Sequence, residues 1–90
     1  MTNLERRVMD KVHGRLGAER LQEVIVYLDP DMKRAAERLS IGDVIIDLPW
    51  DGYVAFIDLE PRTNWGHACM YLAISRDDDE SVEFAAQMPP

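Results

Sequence analysis

The stretch from Trp50 to Ile74, WDGYVAFIDLEPRTNWGHACMYLAI, decides the fold of this 90-residue chain. It contains both tryptophans, the only cysteine and one of the two histidines. Its two halves, residues 53–59 and 65–75, are rich in β-branched and aromatic side chains, which is typical of strands. The turn-favouring residues EPRTN separate the halves. The stretch therefore predicts a β-hairpin around which a small domain is built.

Burial of one face predicts the register of this hairpin. Side chains alternate between the two faces of a strand, and directly paired residues share a face. A slip by one residue would bury Asp58 against Met70. The apolar sets should therefore lie together, namely Tyr53, Ala55, Ile57 and Leu59 with Ala68, Met70, Leu72 and Ile74. The opposite face should then bring together Phe56, Asp58, Glu60, Trp65, His67, Cys69 and Tyr71.

Residues 1–41 are predicted to form the helical part of the domain. Thr2 and Glu5 have the spacing of a capping box, and apolar residues at helical spacing follow as far as Leu16. Asp29-Pro30 resembles an N-cap followed by proline at the first helical position, and it predicts a helix that begins at Pro30 and runs through residues 31–39.

The segment between these two helices is ambiguous. Residues 18–28, AERLQEVIVYL, place apolar side chains on one helical face, and we predict a helix. The run Val24 to Tyr27 is β-branched and aromatic, however, which favours a strand. In that alternative the strand is short and joins the sheet.

Residues 42–88 are predicted to form an antiparallel sheet. The apolar segments 43–48, 53–59, 65–75 and 81–87 are joined by short turns, which is typical of a meander. Helices that precede strands indicate an α+β fold, here helices packed on one face of a four-stranded sheet. Residues 1–90 make one domain by length. The terminal Met88-Pro89-Pro90 either ends the domain or begins a linker to another one.

The charge distribution argues against nucleic acid as a partner. Residues 1–40 carry eight Lys/Arg and seven Asp/Glu, whereas residues 41–90 carry two Lys/Arg and ten Asp/Glu. Phosphate backbones require clustered cations, which the sheet half lacks. No apolar run approaches the length of a membrane span, and a single cysteine gives no internal disulfide. We therefore predict a cytoplasmic protein without cofactors.

The polar and aromatic face of the hairpin supports three hypotheses. An aromatic stripe with a polar rim is typical of a protein-binding surface. A carboxylate, an imidazole and a thiol are also the components of a cysteine nucleophile, with Cys69, His67 and Asp58 as candidates. The same groups can ligate a metal ion, with the candidate ligands Asp58, Glu60, His67 and Cys69.

Two short segments resemble parts of a known family. Gly42-Asp43-Val44-Ile45 and His67-Ala68-Cys69-Met70-Tyr71-Leu72 are similar to fragments of the papain-like NlpC-type and lecithin–retinol-acyltransferase-like hydrolases. The resemblance implies cysteine chemistry at a helix N-terminus, whereas the only cysteine here falls inside a predicted strand. We do not transfer the activity.

The sequence favours a small non-enzymatic protein-interaction or regulatory module. Its predicted binding residues are Phe56, Asp58, Glu60, Trp65, His67 and Tyr71. The expected partner is another protein or a second copy, and the acidic sheet half favours a basic partner surface. The alternatives are a Cys/His-dependent hydrolase or transferase fragment and a divalent-metal-binding domain.

Overall fold

The computed structural model describes residues 3–41, 44–61, 68–78 and 80–86. Within these ranges two helices precede six strands, as the sequence predicts for an α+β fold. The elements are α1 (Asn3–Leu16), α2 (Ala18–Leu21), β1 (Ile25–Leu28), β2 (Arg38–Ile41), β3 (Val44–Asp47), β4 (Gly52–Asp58), β5 (Cys69–Ser75) and β6 (Ser81–Ala86). No helix among the described residues is long and apolar enough to cross a membrane.

The main sheet has four antiparallel strands in the order β1-β4-β5-β6. The antiparallel sheet and its helical cover are confirmed, but its strand membership differs from the predicted meander. The predicted first strand, residues 43–48, instead supplies β3, which pairs with β2 in a separate two-stranded sheet. The place beside β4 is taken by β1 from the N-terminal half.

The predicted helix over residues 18–28 is wrong beyond its first turn. Helix α2 ends at Leu21, and Ile25–Leu28 forms β1. The alternative of a short strand that joins the sheet is therefore confirmed. The β-branched and aromatic side chains outweigh the helical spacing because pairing with β4 places Val26 and Leu28 against the core.

The predicted helix over residues 31–39 is also wrong. Lys33 pairs with Gly52 through reciprocal N–H to carbonyl bonds of 2.7 and 2.9 Å. Ala36 has a φ of 66°, a left-handed conformation that turns the chain before β2. Helical propensity is a weak preference, and pairing of β2 with β3 overrides it here.

The register predicted for the central hairpin is confirmed. Ile57 lies opposite Met70, Ala55 opposite Leu72 and Tyr53 opposite Ile74. Helix α1 packs Val8 and Val12 against this face, which forms the first hydrophobic core. Its buried members are Val8, Val12, Ala55, Ile57, Met70, Leu72 and Ile74.

A second hydrophobic core lies on the opposite face of the sheet. Ile46 and Leu48, in and just after β3, are buried against side chains of β4, β5 and β6. Two residues of the predicted polar and aromatic face, Cys69 and Tyr71, are therefore buried, with exposures of 2% and 1%. The physical reason is that β2 and β3 form an additional layer, which covers this face at β5 but leaves Ile25 and Tyr27 of β1 exposed.

Candidate functional site

Asp58 and Cys69 lie directly opposite each other on β4 and β5, as the predicted register requires. Asp58 Oδ1 accepts the backbone N–H of Glu60 at 3.1 Å. Glu60 Oε1 in turn accepts the N–H of Ala68 at 2.8 Å. The two carboxylates therefore connect the end of β4 to the start of β5 through backbone hydrogen bonds. Trp65 and His67 lie outside the described residues, so their predicted roles stay predictions.

The thiol of Cys69 belongs to the second core. Cys69 lies opposite Ala86 of β6, in the same buried cluster as Tyr71, a position that suits a small side chain. Reactive cysteines lie in electropositive and partly exposed surroundings, because the thiolate must reach its substrate. The position of Cys69 inside β5 also agrees with the departure from the hydrolases that the sequence resembles.

The structure pairs two of the predicted metal ligands, Asp58 and Cys69, but shows no larger group of ligands among the described residues. Within residues 3–41, 44–61, 68–78 and 80–86, no group of three or more His, Cys, Asp and Glu side chains could hold an ion. His67, one of the predicted ligands, falls outside those ranges. The metal hypothesis therefore receives no support from the three described members of its ligand set.

Four aromatic side chains form a row across the face of the sheet that carries the second core, one on each strand. Tyr27, Phe56, Tyr71 and Phe84 are consecutive partners in the register. The rings of Tyr27 and Phe56 stack with centroids 5.9 Å apart, and those of Phe56 and Tyr71 are 5.3 Å apart. Such cross-strand aromatic pairs stabilise a sheet.

Exposure increases along this row from Tyr71 on β5 to Tyr27 on the edge strand β1. Tyr71 is buried under the β2–β3 layer, Phe56 is half-buried, and Tyr27 is 54% exposed. Ile25, on the same face of β1 and opposite Asp58, is 42% exposed. We call Ile25, Tyr27 and Phe56 the edge patch. It is an apolar surface, and its member Phe56 packs against the second core.

Carboxylates border the edge patch. Asp58 lies opposite Ile25, and Glu60 follows it beyond the end of β4. Glu23, two residues before Ile25, is also exposed. The patch therefore has the composition of a binding surface, with an aromatic and aliphatic centre and a polar rim, and the described rim is acidic.

Sequence reasoning found Phe56, Asp58 and Glu60 but missed Tyr27 and Ile25. Both belong to the segment that was predicted to be helical, so nothing in that prediction placed them beside Phe56. The available signal was the run Val24 to Tyr27, whose composition favours a strand.

Comparison of the chain with protein families, with curated proteins and with solved structures gave no significant match.

Proposed function

We propose that this chain is a small non-enzymatic protein-interaction or regulatory module that binds its partner through the edge patch. The observation that supports this function most is the exposed Tyr27, stacked on the half-buried Phe56 at one end of the aromatic row. An aromatic ring that is already stacked on a neighbour contributes contact area while losing little conformational entropy on binding.

The predicted binding residues take different parts in this proposal. Phe56 and Asp58 contact the partner at the patch and its rim, and Glu60 extends the rim. Tyr71 supports the ring of Phe56 from inside the second core. Trp65 and His67, which lie outside the described residues, remain predicted binding residues on sequence grounds alone.

The proposed partner is a protein with a basic surface. The chain has a net charge of −7, and residues 41–90 contain only two Lys/Arg. Complementary charge accelerates the encounter of two proteins and excludes partners of like charge. In this proposal the module acts in the cytoplasm and binds neither nucleic acid nor membrane.

The test compares two double variants that each remove two exposed apolar side chains. The edge-patch pair, Ile25→Ser combined with Tyr27→Ser, removes most of the edge patch. The control pair, Ile45→Ser combined with Met32→Ser, removes exposed apolar side chains elsewhere. Each tagged chain is expressed in the organism that makes it, cross-linked and purified, and the recovered proteins are quantified. We expect one or more proteins to be retained by wild type and by the control pair and lost by the edge-patch pair.

Recovery of the same proteins by both pairs of variants would contradict the proposal. Circular dichroism and urea unfolding of each variant establish that the fold is retained. Sedimentation velocity on the purified chains determines whether the partner is a second copy, since a dimer would then dissociate only in the edge-patch pair.

A further inference from the structure

Strand β1 is an edge of the main sheet, because β4 is its only neighbour among the described strands. The N–H of Asp29 donates to the carbonyl oxygen of Val54 at 3.1 Å. Hydrogen-bonding direction alternates along an antiparallel strand. The backbone groups of Ile25 and Tyr27 therefore point towards β4, and those of Val26 and Leu28 point away from it.

An apolar groove runs along this edge on the helix side of the sheet. It has a volume of about 610 Å³ and lies between α1 and β1. Val26 and Leu28 form one wall and Leu4, Val8 and Met9 the other, and Glu5 and Pro30 also line the groove. Side chains of an added strand that point to the helix side would enter this groove.

A second, acidic pocket lies at the other end of β1. It has a volume of about 430 Å³ and is formed where residues 22–25 approach residues 59–61. Glu23 and Glu60 contribute carboxylates to it, while Val24 and Leu59 contribute apolar walls. No lysine, arginine or histidine lines this pocket among the described residues. The pocket is therefore suited to a cationic side chain with an aliphatic stem.

We propose that the partner contributes an extended segment that pairs with β1 as a fifth, antiparallel strand. The segment would carry apolar side chains beside Leu28 and Val26, and a lysine or arginine beside Val24. Its pattern, read from its own N-terminus, is apolar-x-apolar-x-basic. This inference rests on the proposed function and specifies the class of partner.

The spacing of the two pockets agrees with this pattern. Alternate residues of a strand share a face and are about 6.5–7 Å apart, so Leu28, Val26 and Val24 span about 13 Å on the helix side. A lysine or arginine beside Val24 would extend its long stem around the end of β1 to Glu23 and Glu60, which line the same pocket as Val24. Main-chain hydrogen bonds to Val26 and Leu28 would supply affinity, and the two pockets would supply specificity.

Charge favours such a basic segment over a second copy of the chain. A second copy that paired through its own β1 would bring its Glu23 and Asp29 close to the same acidic edge. Like charges on an added strand oppose pairing, whereas a lysine or arginine beside Glu23 and Glu60 favours it.

The experiment selects ligands for the 90-residue chain from a displayed library of random heptapeptides. We expect enrichment of the apolar-x-apolar-x-basic pattern. Synthetic peptides from the selection are then titrated against Glu23→Gln combined with Glu60→Gln, and we expect affinity to fall about fivefold. Glu80→Gln is the matched control. It removes an exposed carboxylate in the β5–β6 turn and should change affinity by less than about twofold.

Val26→Pro tests the backbone contact independently of charge. Proline is tolerated where the N–H faces the open side of an edge strand, so the β1–β4 ladder can persist. We expect affinity to fall at least about tenfold, because the added strand loses a hydrogen bond and meets the proline ring. The charge variants keep the inference testable if Val26→Pro does not fold.

Three results would overturn the inference. They are enrichment of peptides without a basic residue at that position, an equal effect of Glu80→Gln and the double variant, and a β1-dependent homodimer in place of peptide binding. Suppose that Tyr27→Ser abolishes binding of the partner, whereas the charge variants and Val26→Pro still bind it. Binding through the edge patch is then supported, and this inference fails. If Tyr27→Ser also keeps the partner, the proposed function itself fails.

Discussion

The guanidinium of Arg7 in α1 donates from Nη2 to the carbonyl oxygen of Ser75 at the end of β5, across 2.6 Å. The two residues are 68 positions apart in sequence. The same guanidinium also donates to the carbonyl oxygens of Arg76 and Asp78. Charge-assisted hydrogen bonds therefore connect the helix to the turn between β5 and β6.

Replacing Arg7 should release this connection. We expect Arg7→Ala to lower the free energy of unfolding by about 1–2 kcal/mol, because hydrogen bonds to a charged donor are lost from a partly buried site. Urea unfolding followed by circular dichroism measures the change. The control is Arg6→Ala, which removes an exposed arginine from the same helix. Equal stability of the two variants would show that the contacts of Arg7 contribute nothing.

The adjacent residues Ile45 and Ile46 test whether the β2–β3 layer covers the sheet. Ile46 is fully buried in the second core, whereas Ile45 is 62% exposed. We expect Ile46→Ala to cost about 2–4 kcal/mol of unfolding free energy, because it leaves a cavity. Ile45→Ala should change it by less than about 0.5 kcal/mol. Similar costs for both variants would mean that the second core is not packed as described.

Alanine at Gly52 should lower the stability of the fold, whereas alanine at Gly14 should raise it. A Cβ at Gly52 would lie 2.6 Å from Cζ3 of Trp50 and closer still to the carbonyl oxygen of Ile74. We expect Gly52→Ala to destabilise the fold by about 1–3 kcal/mol through this overpacking. A Cβ at Gly14 meets nothing within 4 Å, so Gly14→Ala in α1 should stabilise by about 0.5–1 kcal/mol. Thermal unfolding of both variants is the measurement, and a stabilising Gly52→Ala would contradict the close approach.

The ion pair between Asp29 and Lys33, 2.8 Å apart, should give a small acid dependence of stability. The hydrogen bond from Lys33 lowers the pKa of the Asp29 carboxyl below its ordinary value of 3.8. A carboxyl with a lowered folded-state pKa stabilises the fold above its unfolded pKa, and this contribution is lost as pH falls through the folded value. The effect should be small because the Asp29 side chain is 43% exposed.

The measurement compares wild type with Asp29→Asn. Wild type should be the more stable above about pH 4, and the difference should shrink as the solution is made more acidic. Asp10→Asn, which removes an exposed carboxylate from α1, is the control. A difference between wild type and Asp29→Asn that is independent of pH would refute the assignment.

Burial of Cys69 predicts a protected thiol. Because this is the only cysteine, the reaction with a chromogenic disulfide reports on it alone. We expect reaction of the native chain to be at least about a hundredfold slower than that of the chain unfolded in urea, since the thiol is reached only when the structure opens. Rapid reaction of the native chain would instead favour the hypothesis of a catalytic cysteine.

The sequence by itself determined α1 and the β4–β5 pairing. The capping-box spacing and the apolar face of residues 3–16 are local features that specify a helix without reference to the rest of the chain. The register that places Ile57 opposite Met70 and Asp58 opposite Cys69 follows from burial, because a shift by one residue exchanges the two faces of a strand. Part of the candidate site, Phe56 with Asp58 and Glu60, was predictable for the same reason.

Only the tertiary structure decided the conformation of residues 22–41 and 44–48 and, with them, the accessible part of the site. Val24 to Tyr27 and residues 31–39 have local preferences that fit a helix or a strand, and differences of well under about 1 kcal/mol per residue separate the two. Pairing with distant strands exceeds those differences. Pairing of β1 with β4 brings Tyr27 to Phe56 at the open edge. Pairing of β2 with β3 forms the layer that buries Tyr71 and Cys69, because two apolar surfaces far apart in sequence are stabilised by burying each other.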